Sequence, residues 1–132
     1  MDTVASPAIG GLIIGYEVAR QLGARFIWTE REQGQMTLRR GFTVREGERM
    51  LVVEDVVTTG GSTRETIEAL TVAGAQVVAA ASIIDRSAGK ADVGVKRFSL
   101  ATLDVPAVAP ENCEVCQRGE IATKPGSRKP TV

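Results

Sequence analysis

The chain has 132 residues, a length for one domain, and its hydrophobic content of 43% with 14 glycines suits an α/β protein built on Val, Ile, Ala and Leu. Its 16 basic and 16 acidic residues cancel, so no charge excess points to nucleic acid or to an anionic membrane. There is no histidine, which excludes Ser-His and Cys-His nucleophilic catalysis and histidine metal sites from this chain.

Met1-Asp2 is followed by neither a basic n-region nor an apolar h-region, so a cytoplasmic protein is expected. Asp2 to Ala5 reads as the end of a strand, and Ser6-Pro7-Ala8-Ile9-Gly10-Gly11 as a tight loop. Leu12 to Leu22 reads as a helix, with Leu12, Gly15, Tyr16 and Ala19 on one face and Gly23 as its stop. A short strand follows over Arg25 to Thr29, then a polar loop over Glu30 to Gln35. Met36 to Phe42 alternates as a hairpin arm, and Gly47 sits in a turn before a strand over Met50 to Val53. Ser62-Thr63-Arg64-Glu65 fits a capping box that opens a helix to about Ala73, stopped at Gly74.

Gln76 to Ile84 is continuous in apolar residues, as strands of a parallel sheet are, and Asp85 to Gly89 is a loop at its C-terminal end. The longest apolar-rich stretch, Val72 to Ile84, is broken by Gly74, Gln76 and Ser82 and is too short to span a bilayer. Lys96 to Leu103 is a further candidate strand. From Pro106 the chain is rich in proline and glycine, with basic Lys124, Arg128 and Lys129, and is expected to be irregular. The expected organisation is a core over 1–105 and a tail of the same domain over 106–132. Strands alternating with helices give a parallel sheet whose ligands lie at the C-terminal strand ends. Three loops meet that criterion: Ser6 to Gly11, Thr58 to Thr63, and Asp85 to Gly89.

The run Leu51-Val-Val-Glu-Asp-Val-Val-Thr-Thr-Gly-Gly-Ser-Thr-Arg-Glu65 carries the most chemistry. An apolar strand ends in two adjacent carboxylates, Glu54 and Asp55, and a glycine-hydroxyl loop then leads into a helix. Carboxylates suit sugar hydroxyls, and a helix N-terminus suits a phosphate dianion. Gly60 and Gly61 permit close backbone approach, while Thr59, Ser62 and Thr63 offer hydroxyl donors. A lone Glu-Asp pair would serve equally well as a solvated turn; the whole run is more specific.

Val52 to Thr63 resembles the phosphoribosyl diphosphate (PRPP) motif of the type I phosphoribosyltransferases. The resemblance implies that family's α/β fold, a mainly parallel central sheet flanked by helices. It implies Glu54 and Asp55 on the ribose hydroxyls, and Val56, Val57, Thr58, Thr59, Gly60, Gly61, Ser62 and Thr63 around the 5′-phosphate. Purine-specific members commonly carry an aspartate where this chain has Thr58, a neutral residue that suits a base already anionic. The run is thus similar to the orotate phosphoribosyltransferases, although a drifted purine-type loop would read the same way.

Ile83-Ile84-Asp85-Arg86 matches the segment in which that family's arginine meets orotate, so Arg86 joins Thr58 as a candidate for the base. The alternative for Arg86 is a bridge to Asp85 or a cover for the sheet edge. Gly10 and Gly11 occupy the place of the diphosphate loop, or simply make a tight turn. Arg31 matches the first basic position of the mobile catalytic loop, and with Asp55 is implied to be catalytic. Arg39 and Arg40 are the other cations nearby, and a solvated charged hairpin is the alternative for all three. Mg²⁺ bound mainly through PRPP, and a homodimer sharing loops, are also implied.

Cys113-Glu-Val-Cys116 looks like part of the same family's C-terminus and is expected to be a turn, with a redox or inter-subunit metal role as the other reading. Family members begin with a further hood over the base, so an N-terminal truncation is expected. The implied activity is transfer from PRPP to orotate in pyrimidine nucleotide synthesis. A purine or uracil phosphoribosyltransferase, or a non-catalytic PRPP or nucleotide binder, are the alternatives.

Overall fold

Apolar runs long enough for strands, separated by amphipathic segments long enough for helices, produce alternating β and α elements here. The computed structural model describes residues 1–105 and 108–120. The elements are β1 (Thr3–Pro7), α1 (Leu12–Leu22), β2 (Arg25–Glu32), β3 (Gln35–Leu38), β4 (Arg49–Val57), α2 (Gly61–Val72), β5 (Gln76–Asp85) and β6 (Arg97–Thr102). A 3-10 turn at Pro110–Asn112 and a one-turn helix, α3 (Glu114–Gln117), follow. The basic tail residues Lys124, Arg128 and Lys129 lie outside the described residues.

The strands form one sheet in the order β3-β2-β1-β4-β5-β6, parallel throughout except for the antiparallel β2–β3 pair. Alternate residues of each strand face opposite helices. On one face Ala5, Ile27, Met50 and Val52 pack with Ile67 and Leu70 of α2. On the other, Val4 and Val53 pack with Ala19, Ile14 and Val18 of α1. Fully burying one such large aliphatic side chain stabilises the fold by about 1.5–3 kcal/mol. β1 feeds α1 toward β2, and β4 feeds α2 toward β5, so the winding reverses between β1 and β4. A cleft at the C-terminal ends of those two strands is the expected ligand position of such a sheet.

The structure corrects several expectations. Tyr16 is 59% exposed and not part of the buried face of α1; it meets only the edge of the Phe26 ring, at 6.1 Å. The buried side is built from Gly15 and Ala19, where a Cβ on Gly15 would collide with Ser6 Oγ. Glu30 to Gln35 is not a loop. β2 continues to Glu32 and turns through Gln33 (φ 49°) and Gly34 (φ 88°) into β3, pairing Arg31 with Met36. Ladder hydrogen bonds outweigh the polar composition that had argued for a loop. The capping box is not formed either: α2 begins at Gly61, with left-handed Gly60 (φ 80°) as N-cap and no side-chain cap. A non-glycine residue would be strained at Gly60. The Cys113–Cys116 segment is the start of α3 rather than a plain turn, and both thiols are free.

Candidate active site

β4 runs through its carboxylates instead of ending at them: Glu54 and Asp55 lie inside the strand, and Val56 and Val57 continue it to Thr58. Consecutive strand residues point to opposite faces, so the two acids diverge. Asp55 Oδ1 accepts the Val56 N–H at 2.8 Å, which orients the carboxylate. Glu54 Oε2 accepts from Thr63 Oγ1 at 2.5 Å. Burial raises the Glu54 pKa, the neighbouring Asp55 charge adds to that, and the Thr63 hydrogen bond opposes it. A half-buried acid in that condition gains from a ligand that brings hydroxyl donors.

The loop after β4 makes a small cavity of about 60 Å³, lined by Glu54, Val56, Val57, Thr58, Thr59, Gly60, Gly61 and Ser62. Thr58 and Thr59 are exposed at its rim, and Thr59 Oγ1 accepts the Gly61 N–H at 3.4 Å. The first amides of α2 face this space without intrahelical partners, as the first turn of any helix must. Thr63 is the exception among the candidate phosphate residues. It is buried, and its hydroxyl is committed to Glu54, so it orients a carboxylate and is not free to donate to a phosphate. Spacing alone did not show this, because Thr63 and Ser62 differ only in which side of the first helical turn they occupy.

The loop after β1 closes against the same strand. A Cβ on Gly10 would lie 2.6–2.9 Å from the Asp55 carboxylate, and one on Gly11 would lie 2.9 Å from the Val53 carbonyl oxygen. Only glycine allows this approach, so this loop walls the Asp55 side of β4, while the 58–62 cavity is lined by Glu54. The Ala8–Ile9 peptide in that loop is cis.

Arg31 stands apart from this wall. Its side chain donates to the Gly34 carbonyl and pairs with Glu65 of α2 at 2.6 Å. It nevertheless helps line a cavity of about 610 Å³ with Ala8, Ile9, Leu12, Trp28, Glu30 and Arg40. Arg40 is paired with Glu30 at 2.7 Å, and Arg39 bridges Glu30 and Glu32 at 3.5 and 3.4 Å. The Arg40 and Trp28 hydrogen bonds hold the Glu30 pKa down to about 2.

Arg86 follows β5 directly. Its N–H donates to the Val57 carbonyl at 2.8 Å, which sets it beside Thr58. Its side chain is exposed, and the bridge to Asp85 is not made; Arg97 of β6 takes Asp85 at 2.9 Å. Sequence reasoning missed that pair, since the two residues are far apart in the chain and belong to different strands.

Residues 1–109 match the family model described as the phosphoribosyl transferase domain. The orotate phosphoribosyltransferase of Pelotomaculum thermopropionicum is 54% identical over 129 residues, 98% of this chain and 68% of that protein. The protein of the same name from Thermotoga petrophila is 58% identical over 128 residues, 97% of this chain and 68% of its own length. The chain thus spans about two thirds of these relatives. Among solved structures, the orotate phosphoribosyltransferase from Aeropyrum pernix superposes with a TM-score of 0.62 at 30% identity, covering 77% of this chain and 60% of that one. An adenine phosphoribosyltransferase from Thermoanaerobacter pseudethanolicus reaches 0.66 at 18% identity, with 77% and 70% covered, a likeness of fold. By sequence, by fold and by the motif on β4, the chain belongs to the phosphoribosyltransferase family, in the company of the orotate phosphoribosyltransferases.

Proposed function

We propose that this chain carries the orotate phosphoribosyltransferase reaction, in which orotate and PRPP give orotidine 5′-monophosphate and diphosphate in pyrimidine nucleotide biosynthesis. One observation carries the reading: the adjacent acids of β4 join the two loops, with Asp55 against Gly10 and Glu54 lining the 58–62 cradle. A phosphoribosyl group with a diphosphate at C1 needs those neighbours in that order.

The bond from C1 to the diphosphate oxygen breaks, and a bond from C1 to a ring nitrogen of orotate forms, through an oxocarbenium-like state. The base is already an anion and diphosphate leaves well, so no protein nucleophile is required. Catalysis is then positioning and electrostatics. Glu54 and Asp55 hold the ribose hydroxyls by charge-assisted hydrogen bonds, worth about 1.5–3 kcal/mol each. Thr58, Thr59, Gly60, Gly61 and Ser62 hold the 5′-phosphate, Gly10 and Gly11 the diphosphate, and Arg86 with Thr58 the base. Arg31 meets the leaving diphosphate once released from Glu65.

Among the described residues no three His, Cys, Asp or Glu side chains gather as a metal site. Glu54 and Asp55 diverge, so an ion would be held mainly by PRPP itself. Mg²⁺ carried in this way would offset the charge of the departing diphosphate. We further infer a homodimer and a cytoplasmic location; no helix among the described residues is long and apolar enough to cross a membrane.

The test compares orotate, uracil, hypoxanthine and guanine as acceptors from Mg-PRPP, read as diphosphate release. Orotate turnover is expected; turnover of a purine alone sinks the reading. Binding of Mg-PRPP with no release from any base favours a non-catalytic binder.

A further inference from the structure

The carboxylate of Asp85 is 1% exposed and used on every side. Oδ1 accepts the Ser87 N–H at 2.8 Å and the Ser87 hydroxyl at 2.6 Å, while Oδ2 accepts the Gly89 N–H at 3.0 Å and pairs with Arg97 at 2.9 Å. Ser87 Oγ in turn accepts the Ala91 N–H at 2.8 Å. The loop is therefore wound around one buried acid, with Ala88 (φ 54°) and Gly89 (φ 82°) in the left-handed region to let it turn.

Arg86 is the residue between this knot and the sheet. Its own N–H is fixed to Val57, the last residue of β4, and its side chain is left in solvent. The loop also leans on the phosphate cradle: Arg64 of α2 donates to the Asp92 carbonyl, and a Cβ on Gly60 would meet Val93 at 2.9 Å. Arg97 stands 11% exposed by side chain, also donates to Ser99 Oγ at 3.4 Å, and comes from β6.

A carboxylate next in sequence to a free guanidinium would ordinarily capture it, since the pair gains Coulomb energy in a low-dielectric site. Here it is already neutralised from the far side. We propose that Arg97 is a positioning residue for base recognition: by occupying Asp85 it keeps Arg86 free for an anionic base, and through Asp85 it holds the loop that presents Arg86. The inference rests on the reading of Arg86 as the base-binding cation. It also accounts for two arginines near β5, one spent on the fold and one left with its charge uncompensated. That uncompensated positive charge suits a carboxylate-bearing pyrimidine better than a neutral base.

The test uses the full chain and measures KM for orotate, KM for PRPP, kcat and the dissociation constant of orotidine 5′-monophosphate, with melting temperature as a check on folding. Arg97→Gln is expected to raise the orotate KM about tenfold and to weaken the nucleotide similarly, with the PRPP KM changed less than about twofold. Arg97→Lys should recover most of the loss. Adding Asp85→Asn to Arg97→Gln removes the competitor and should recover part of it, which a purely structural role would not do. Parallel rises in both KM values, or a double variant worse than Arg97→Gln, overturn the inference while leaving Arg86 in place. Arg86→Ala is the separate control. If it leaves the orotate KM and the nucleotide affinity unchanged, the reading of Arg86 falls and this inference falls with it.

Discussion

The C-terminal ends of β4 and β5 lie side by side, Val57 in register with Asp85, and both carry acids that burial disfavours. At β4, Glu54 has one hydroxyl partner and its pKa is raised. At β5, burial also opposes the charge of Asp85, but the Ser87 hydrogen bonds and Arg97 together outweigh it and hold the pKa down to about 2. An acid left short of donors is available to a ligand; an acid saturated with donors is architecture. On the proposed reading the two acids divide the labour of one site, Glu54 binding and Asp85 shaping.

The largest effect expected separates them by stability. Asp85→Ala leaves Arg97 buried without its partner and should cost about 3 kcal/mol, read as a fall in melting temperature. A loss no greater than that of a surface substitution would erase the contrast. Asp55→Asn should instead leave folding intact and lower kcat/KM for PRPP about 10- to 100-fold, as loss of charge-assisted hydrogen bonds does. Unchanged kinetics would remove the ribose role.

Acid titration sharpens the comparison by sign. The folded pKa of Asp85 lies below its ordinary 3.8, so its stabilisation is present above that value and lost as pH falls through about 2. Glu54 is shifted the other way, so its ionisation opposes folding: the fold is favoured below its ordinary 4.5 and loses stability as pH rises through the raised value. Glu54→Gln should therefore raise the melting temperature at neutral pH while weakening PRPP binding. A fall in both would show that Glu54 is structural.

The smallest effect belongs to the half-exposed Arg31–Glu65 pair. Glu65→Gln should change stability by less than about 1 kcal/mol. It should lower the PRPP KM if releasing Arg31 favours the substrate; an unchanged KM would detach Arg31 from the diphosphate.

The parts of the site legible in the sequence are those encoded locally. Leu12–Leu22 was readable because helical spacing and a terminal glycine agree, and Gly23 adopts the left-handed cap expected of it at φ 61°. The motif from Glu54 to Ser62 was readable because its chemistry sits in consecutive residues. The strand over Arg25 to Thr29 and the hairpin arm from Met36 were also readable. Their continuation through Glu30 to Gln35 was not, since those polar residues gain their strand form from cross-strand pairing, which composition does not report. The capping box failed for a related reason: Glu65 faces Arg31, a partner supplied by the hairpin.

The amino-acid sequence by itself determined the alternation of elements, the glycine-hydroxyl turn and the two acids that precede it. The tertiary structure decided which hydroxyl is left open and which serves a carboxylate, by burying Thr63 under Glu54. It also decided which arginine is free, by bringing Arg97 from β6 to Asp85. Local conformation follows from neighbours in the chain, whereas the charge state and availability of a side chain follow from neighbours in space.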